Sequence, residues 1–137
     1  MGTITEAIHD RLEDDATLTA LLATYNGAPA IFTIDPVPKD AALPYIISAG
    51  EATNDAFDTK VSSGRKITRD IRCYTEAADS AASVEAMAER VVELFHRHHL
   101  AVEGFRTIIA EASGPISANE ELAYGRVVSV RLTLVAS

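Results

Sequence analysis

Few residue types able to do chemistry occur in this chain of 137 residues: four histidines, one cysteine and scattered carboxylates. His96 and His99 stand three apart, a spacing that puts two side chains on one helical face, with His98 beside them. Zinc asks for three or four ligands supported by further hydrogen-bonding groups, and no cysteine or carboxylate cluster has matching spacing. The histidines read instead as the carboxyl end of a helix, where cationic side chains suit the dipole. His9 stands alone on an expected first helix and reads as a surface residue. Cys73 lies among β-forming residues with no basic partner in sequence, so it reads as a small buried hydrophobe rather than a nucleophile. Ser62 to Lys66, SSGRK, resembles a phosphate loop only superficially, because the strand before it and the helix after it are missing; a hairpin connection fits better. Adjacent Glu120 and Glu121 would point apart in an extended segment, a poor arrangement for an acid and a base. The residues thus imply no catalytic group, no metal and no cofactor, and the chain is not expected to be an enzyme.

The totals bound what remains. One domain over residues 1–137 is the simplest organisation, and a chain this long buries roughly two-thirds of its unfolded surface, enough for one core. With 47% hydrophobic and 23% charged residues the composition is that of a globular protein. Aromatics are scarce and Trp is absent, so the core must rest on Val, Ile, Leu and Ala. A net charge of -8 opposes non-specific binding to nucleic acid or anionic membranes. A single cysteine rules out an internal disulfide and fits a reducing compartment. The start MGTITEAIHDRL lacks the basic and apolar runs of a signal peptide, and Glu6 stands where a myristoylation motif wants Ser or Thr. No apolar stretch approaches transmembrane length, so no membrane partner is expected.

The elements follow from periodicity. Thr3 and Glu6 have capping-box spacing, and Ile4, Ala7, Ile8 and Leu12 form one stripe of a first helix. Asp15 can cap a short second helix bearing Leu18, Leu21 and Leu22 and ending near Asn26-Gly27. A β-rich run at 30–34 is stopped by DPVPKD, and Pro44 precedes a strand over Tyr45–Ala49, where it is expected to keep the start free of extra pairing. Lys66–Thr75 alternates, with Ile67, Ile71 and Cys73 on one face and Arg69 interrupting that face. Between 80 and 98 the positions Val84, Met87, Ala88, Val91, Leu94 and Phe95 follow helical spacing, capped by Asp79 or Ser80. Strands are expected over Arg106–Ala112 and Arg126–Ala136; in the latter Val128, Val130, Leu132, Leu134 and Ala136 point inward, with Ser129, Arg131 and Thr133 outward. The order α-α-β-β-β-α-β-β predicts an α+β fold, an antiparallel sheet with helices packed on one face.

A charge pattern is the most distinctive feature. Lys60, Arg65, Lys66, Arg69 and Arg72 crowd one segment, with Glu51, Asp55 and Asp58 just before it, and a second acidic group gathers at Asp10, Glu13, Asp14 and Asp15. Isolated charges would mean only a solvated surface; segregated patches of opposite sign also suit head-to-tail association of identical subunits.

Taken along the chain, these segments resemble the tail-completion proteins of long-tailed bacteriophages and prophage-like particles, also described as tail terminators or head–tail joining proteins. The resemblance runs from the helix Ile8–Leu22 through DAALPYIIS, the polar DTKVSSGRKITRDIRCYT and the helix AASVEAMAERVVELF to the closing GRVVSVRLTLVA. SGPISANEELAYG, between the last two strands, departs from the pattern. The resemblance implies a structural protein made in a bacterial cytoplasm and placed in the tail of a virion or phage-like particle. It implies a ring, commonly a hexamer, at the head-proximal end of the tail. Such a ring caps the tube of tail-tube protein, stops its polymerisation and meets the head–tail connector, while DNA passes through the lumen without being read. An acidic chain fits that passage. On this view Glu51 to Gly64 is polar because its partner is a neighbouring subunit or the tube, and Glu51, Asp55, Asp58, Lys60, Arg65, Lys66, Arg69 and Arg72 are the candidate interface. A second reading is a small-molecule-binding α+β domain or enzyme accessory subunit, with Arg69, Arg72 and Tyr74 as the polar groups available; a third is a hydrolase using Cys73 or the histidines.

Overall fold

The computed structural model of the chain describes residues 4–33, 37–56, 64–76, 81–100, 102, 104–117 and 123–136, with backbone alone for 49–55. Helix α1, Ile4–Glu13, buries Ile8 and Leu12 completely, with Ile4 and Ala7 packed beside them, as the stripe predicts. Thr3, the expected capping residue, lies outside the described residues. Asp15 takes an extended conformation, φ -91° and ψ 107°, and accepts a hydrogen bond from the Leu18 amide at 2.9 Å, opening helix α2, Ala16–Thr19. That helix is shorter than the leucine spacing suggests: Leu18 is buried, but Leu21 is exposed. Asn26-Gly27 marks no helix end. Both residues have positive φ, 50° and 81°, and they turn a hairpin between strands β1, Thr24–Tyr25, and β2, Ala28–Pro29. Positive φ at both central residues matches the twist of the flanking strands, which is why Asn-Gly favours this turn.

The main sheet has the order β3-β4-β5-β7-β6, comprising β3 (Ile31–Phe32), β4 (Tyr45–Ala56), β5 (Gly64–Glu76), β6 (Phe105–Ser117) and β7 (Ala123–Ala136). The fold is α+β with helices on the sheet, but the sheet is mixed: β3 runs parallel to β4, pairing Ile31 with Ile46 and Phe32 with Ile47. The expected antiparallel sheet and element order are corrected on two counts, this parallel edge and the additional β1–β2 hairpin. A parallel pair needs a connection of about a dozen residues, and positions 33–44 between the two strands provide that length. The start of β4 is therefore paired rather than kept free, and the Pro44 carbonyl accepts the Ala23 amide at 2.9 Å.

Strand β4 does not stop at Ala49. It continues through the polar run, with two register shifts, until Ala56 stands opposite Arg65. Segment 51–56 is thus one arm of a long β4–β5 hairpin, and residues 57–63 lie outside the described residues. Helix α3, Ala81–Phe95, lays Val84, Met87, Ala88, Val91 and Phe95 onto the sheet, against Ile67 and Ile71 of β5 and Val128, Val130, Leu132 and Leu134 of β7. Each such side chain taken fully from water contributes roughly 1.5–3 kcal/mol. The helix ends at Phe95 rather than His98, and its expected caps Asp79 and Ser80 lie outside the described residues. At the exit Arg97 has φ 61° and gives its amide to the Ala110 carbonyl at 2.9 Å. In β7 Val128, Val130, Leu132 and Leu134 are buried as expected, with Ser129 and Arg131 more exposed, but Thr133 is buried and Ala136 exposed. Strand β6 runs on through Pro115 to Ser117 by a register shift after Ser113, which absorbs the first part of SGPISANEELAYG. A chain of edge-to-face rings, Tyr25–Phe32–Tyr45–Tyr74 with centroids 5.3–5.7 Å apart, ties the small hairpin to the sheet.

Candidate functional site

The side chains that could do chemistry are dispersed. Cys73 is fully buried mid-strand among core residues, and desolvation pushes its thiol up to about 12, so it stays protonated and shielded. His96 uses its Nδ1 to accept the Ala112 amide at 3.2 Å, tying the helix exit to β6. Together with Arg97 and His99 it lines a shallow concavity of about 490 Å3 against Ile108, Ile109 and Glu111. Among the described residues no three His, Cys, Asp or Glu side chains gather as a metal site. A second concavity of about 490 Å3 lies between Leu21, Pro44 and Met87, with small residues Ala82, Ser83 and Ala86 as its wall.

The carboxyl end of α3 is held by a residue that periodicity does not single out. Arg11 donates from Nη1 to the Leu94 carbonyl at 2.9 Å and from Nη2 to the His99 carbonyl at 2.8 Å, with its guanidinium 5.9 Å from the Phe95 ring centre. The role expected of His98 and His99, a positive charge facing the helix end, is supplied by α1 instead. The only signal in the sequence was an arginine one place before a buried leucine.

The charged segment divides. Arg65, Lys66 and Arg72 are exposed on β5. Arg69 is buried on the helix-covered side, where its Nη1 donates to Thr5 Oγ1 at 2.8 Å. Backbone register places Glu51 opposite Arg69 and Asp55 opposite Lys66, so positions that sit apart in sequence become neighbours across a ladder. Asp58 and Lys60 lie outside the described residues. Asp10, Glu13 and Asp14 are exposed on α1 and just beyond it, whereas Asp15 turns inward to Arg90.

Two features of the sheet went unpredicted. Among the described residues no strand pairs with the outer edge of β4 beyond Ile47. At the opposite edge, β6 carries exposed Phe105, Ile108, Ile109 and Ile116, the last 65% exposed. An edge strand with apolar side chains is the feature that proteins acting alone avoid. The described residues therefore offer long backbone edges, an exposed apolar edge strand and shallow concavities.

Comparison with known proteins agrees. The sequence profile of the family described as tail completion protein gp17 matches residues 6–135. None of the curated proteins matches the chain in sequence. Among solved structures, a chain from the virion of a native gene transfer agent particle has the same fold, with a TM-score of 0.78 at 20% identity over 97% of this chain and 95% of that one. With its profile matched from the first helix to the last strand, the chain belongs to the tail completion protein gp17 family.

Proposed function

We propose that the protein completes a phage-type tail by assembling as a ring, with six copies as the expected number, at the tube's head-proximal end. There it stops tube polymerisation and presents a surface to the head–tail connector. As a tail completion protein it has its place in the tail of a phage-type particle, and its function is structural rather than enzymatic. The observation that carries this reading is the family match over residues 6–135. The β4–β5 hairpin supports it, because its backbone arms stay paired out to Ala56 opposite Arg65, a length beyond the apolar stretch of β4 at Tyr45–Ala49. A net charge of -8 suits a lumen that lets DNA slide past without gripping its phosphates.

The test is to image tails made with and without the chain by negative-stain electron microscopy. Tubes without it should lack a terminal disc, vary in length and fail to join heads, and added chain should restore all three. A variant with residues 57–63 replaced by a short Gly-Ser turn should fold but fail to cap. Tails that are complete and joined without the chain would refute the proposal.

A further inference from the structure

Strand β5 alternates its side chains, so Thr75 follows Ile67, Ile71 and Cys73 onto the side that the helices cover. It is 0% exposed, and its hydroxyl has no hydrogen-bond partner among the described residues. Buried Thr107, by contrast, gives its hydroxyl to the Leu100 carbonyl at 2.7 Å. A buried hydroxyl left unpaired lowers stability, and a valine of the same shape would avoid that loss. Thr75 lines the concavity of about 490 Å3 between the end of α2 and helix α3. Leu21, Pro44 and Met87 give this groove an apolar lining, with Leu21 40% exposed. On α3 its wall is made of Ala82, Ser83 and Ala86, exposed and small, which leaves the groove open. No ionisable side chain among the described residues lines it. A charged group entering would lose hydration with no opposite charge to meet it, so the groove suits a neutral occupant.

We infer that this groove receives a tyrosine side chain of a partner protein. A tyrosine has an apolar body and one hydroxyl at its tip, which matches apolar walls with a single unpaired hydroxyl among them. Either hydroxyl can donate to the other, and the ring gains a favourable contact with the Met87 thioether. Thr75 Oγ1 is closed to water here, so reaching it takes a shift of a lining side chain. Met87, unbranched and with three rotatable bonds, is the side chain able to give way. The tyrosine comes from a different protein rather than a second copy, because the chain's four tyrosines are engaged in its own fold. Tyr25, Tyr45 and Tyr74 belong to one series of ring contacts, and Tyr124 packs against the core. The site lies within one chain, so it does not depend on the ring reading above.

The test titrates two neutral probes, N-acetyl-tyrosinamide and N-acetyl-phenylalaninamide, which differ by the hydroxyl alone. Binding is read by nuclear magnetic resonance on the full chain labelled at its methionine methyl groups. The Met87 signal should shift saturably with both probes. The tyrosine probe should bind about 2- to 10-fold more tightly, the worth of one neutral hydrogen bond. Thr75→Val should melt no lower than the unaltered chain, since its hydroxyl has no bond to lose, and should bind the two probes alike. Ala86→Leu, at an exposed helical position, should keep the fold and block both probes. Three results would each overturn the site while leaving the ring reading standing. They are the absence of any saturable shift, equal binding of the two probes by the unaltered chain, and a tyrosine preference that survives Thr75→Val. Undiminished binding by Ala86→Leu would place the probes elsewhere and overturn it as well.

Discussion

Asp15 and Arg90 meet as a two-point ion pair: Arg90 Nη2 lies 2.6 Å from Asp15 Oδ1, and Arg90 Nε 2.8 Å from Oδ2. The same Oδ2 accepts the Leu18 amide, so one carboxylate starts α2 and fastens it to α3. Nothing local in the sequence joins positions separated by 75 residues. Opposed planar groups of this kind give direction as well as attraction.

The first prediction concerns this carboxylate. Its pKa lies below the usual aspartate range, chiefly through the hydrogen bond from Arg90 and then that from the Leu18 amide, against an opposing desolvation. A depressed folded pKa contributes stability that is fully present well above the ordinary value of about 3.9 and is lost as pH falls through the lowered folded value. Asp15→Asn keeps a capping oxygen but removes the charge, so its stability deficit should be largest near neutral pH and shrink toward pH 3. Asp15→Ala loses the cap as well, about 1–2 kcal/mol more. Urea unfolding from pH 7 to pH 3 measures both, and a deficit in Asp15→Asn that does not change with pH would contradict the account.

Two glycines separate conformational strain from steric closeness. Gly104 has φ 83° with nothing within 4 Å of where a Cβ would stand, whereas Gly114 has φ 105° and its Cβ would sit 2.8 Å from the Val127 carbonyl oxygen. Gly104→Ala should cost about 1 kcal/mol, the conformational part alone. Gly114→Ala should cost about 2–3 kcal/mol, because a neighbouring strand's backbone must also give way. The two denaturation midpoints, compared in one buffer, decide this; equal losses would remove the close approach as a cause.

Cys73 provides a third. A thiol with no exposure and a pKa near 12 is neither reached nor ionised in the native state. A thiol reagent at pH 8 should label it only when the chain unfolds, so the labelling rate should rise with urea along the unfolding transition. Cys73→Ser buries a hydroxyl and should destabilise by about 1–3 kcal/mol without altering assembly. Rapid labelling of the folded chain would place the thiol elsewhere.

How much was legible follows from the range over which each signal acts. Helix α3 and strand β7 announce themselves because Val84, Met87, Val91 and Phe95, and Val128 to Leu134, repeat within one element and touch one core. The Asp15 cap is equally local. Asn26-Gly27 was ambiguous: it suits both a helix exit and a tight hairpin, and the shortness of α2 decided between them. The parallel edge β3 was hidden because two residues have no period, and their partners, Ile46 and Ile47, lie 15 positions on. The length of β4 was hidden because the polar sequence from Glu51 to Ala56 has no apolar alternation, and its strand shows only in the backbone pairing with β5. Of the candidate interface, the charges were visible and their faces were not. Arg69 and Arg72 lie three apart in one strand, yet the twofold period sends them to opposite sides.

That division supports a last prediction. Arg69 is 8% exposed and bonded to Thr5 of α1, so it acts on the fold. Arg72 is exposed on the face away from the helices, and as one of the candidate interface residues it should act on assembly. Arg69→Ala removes a hydrogen bond from a charged donor and should cost about 1.5–3 kcal/mol, which lowers the melting temperature by several degrees. Below that temperature the mass of the assembly should be unchanged, because the side chain is buried against α1. Arg72→Glu should leave stability within about 0.5 kcal/mol, yet should weaken assembly, and most strongly at low salt, where surface charges act over about 30 Å rather than 3 Å. Melting curves and light scattering at 10 mM and 1 M salt separate the two arginines. If Arg69→Ala disperses the assembly while its fold is intact, or if Arg72→Glu leaves assembly untouched at low salt, this division of roles is wrong.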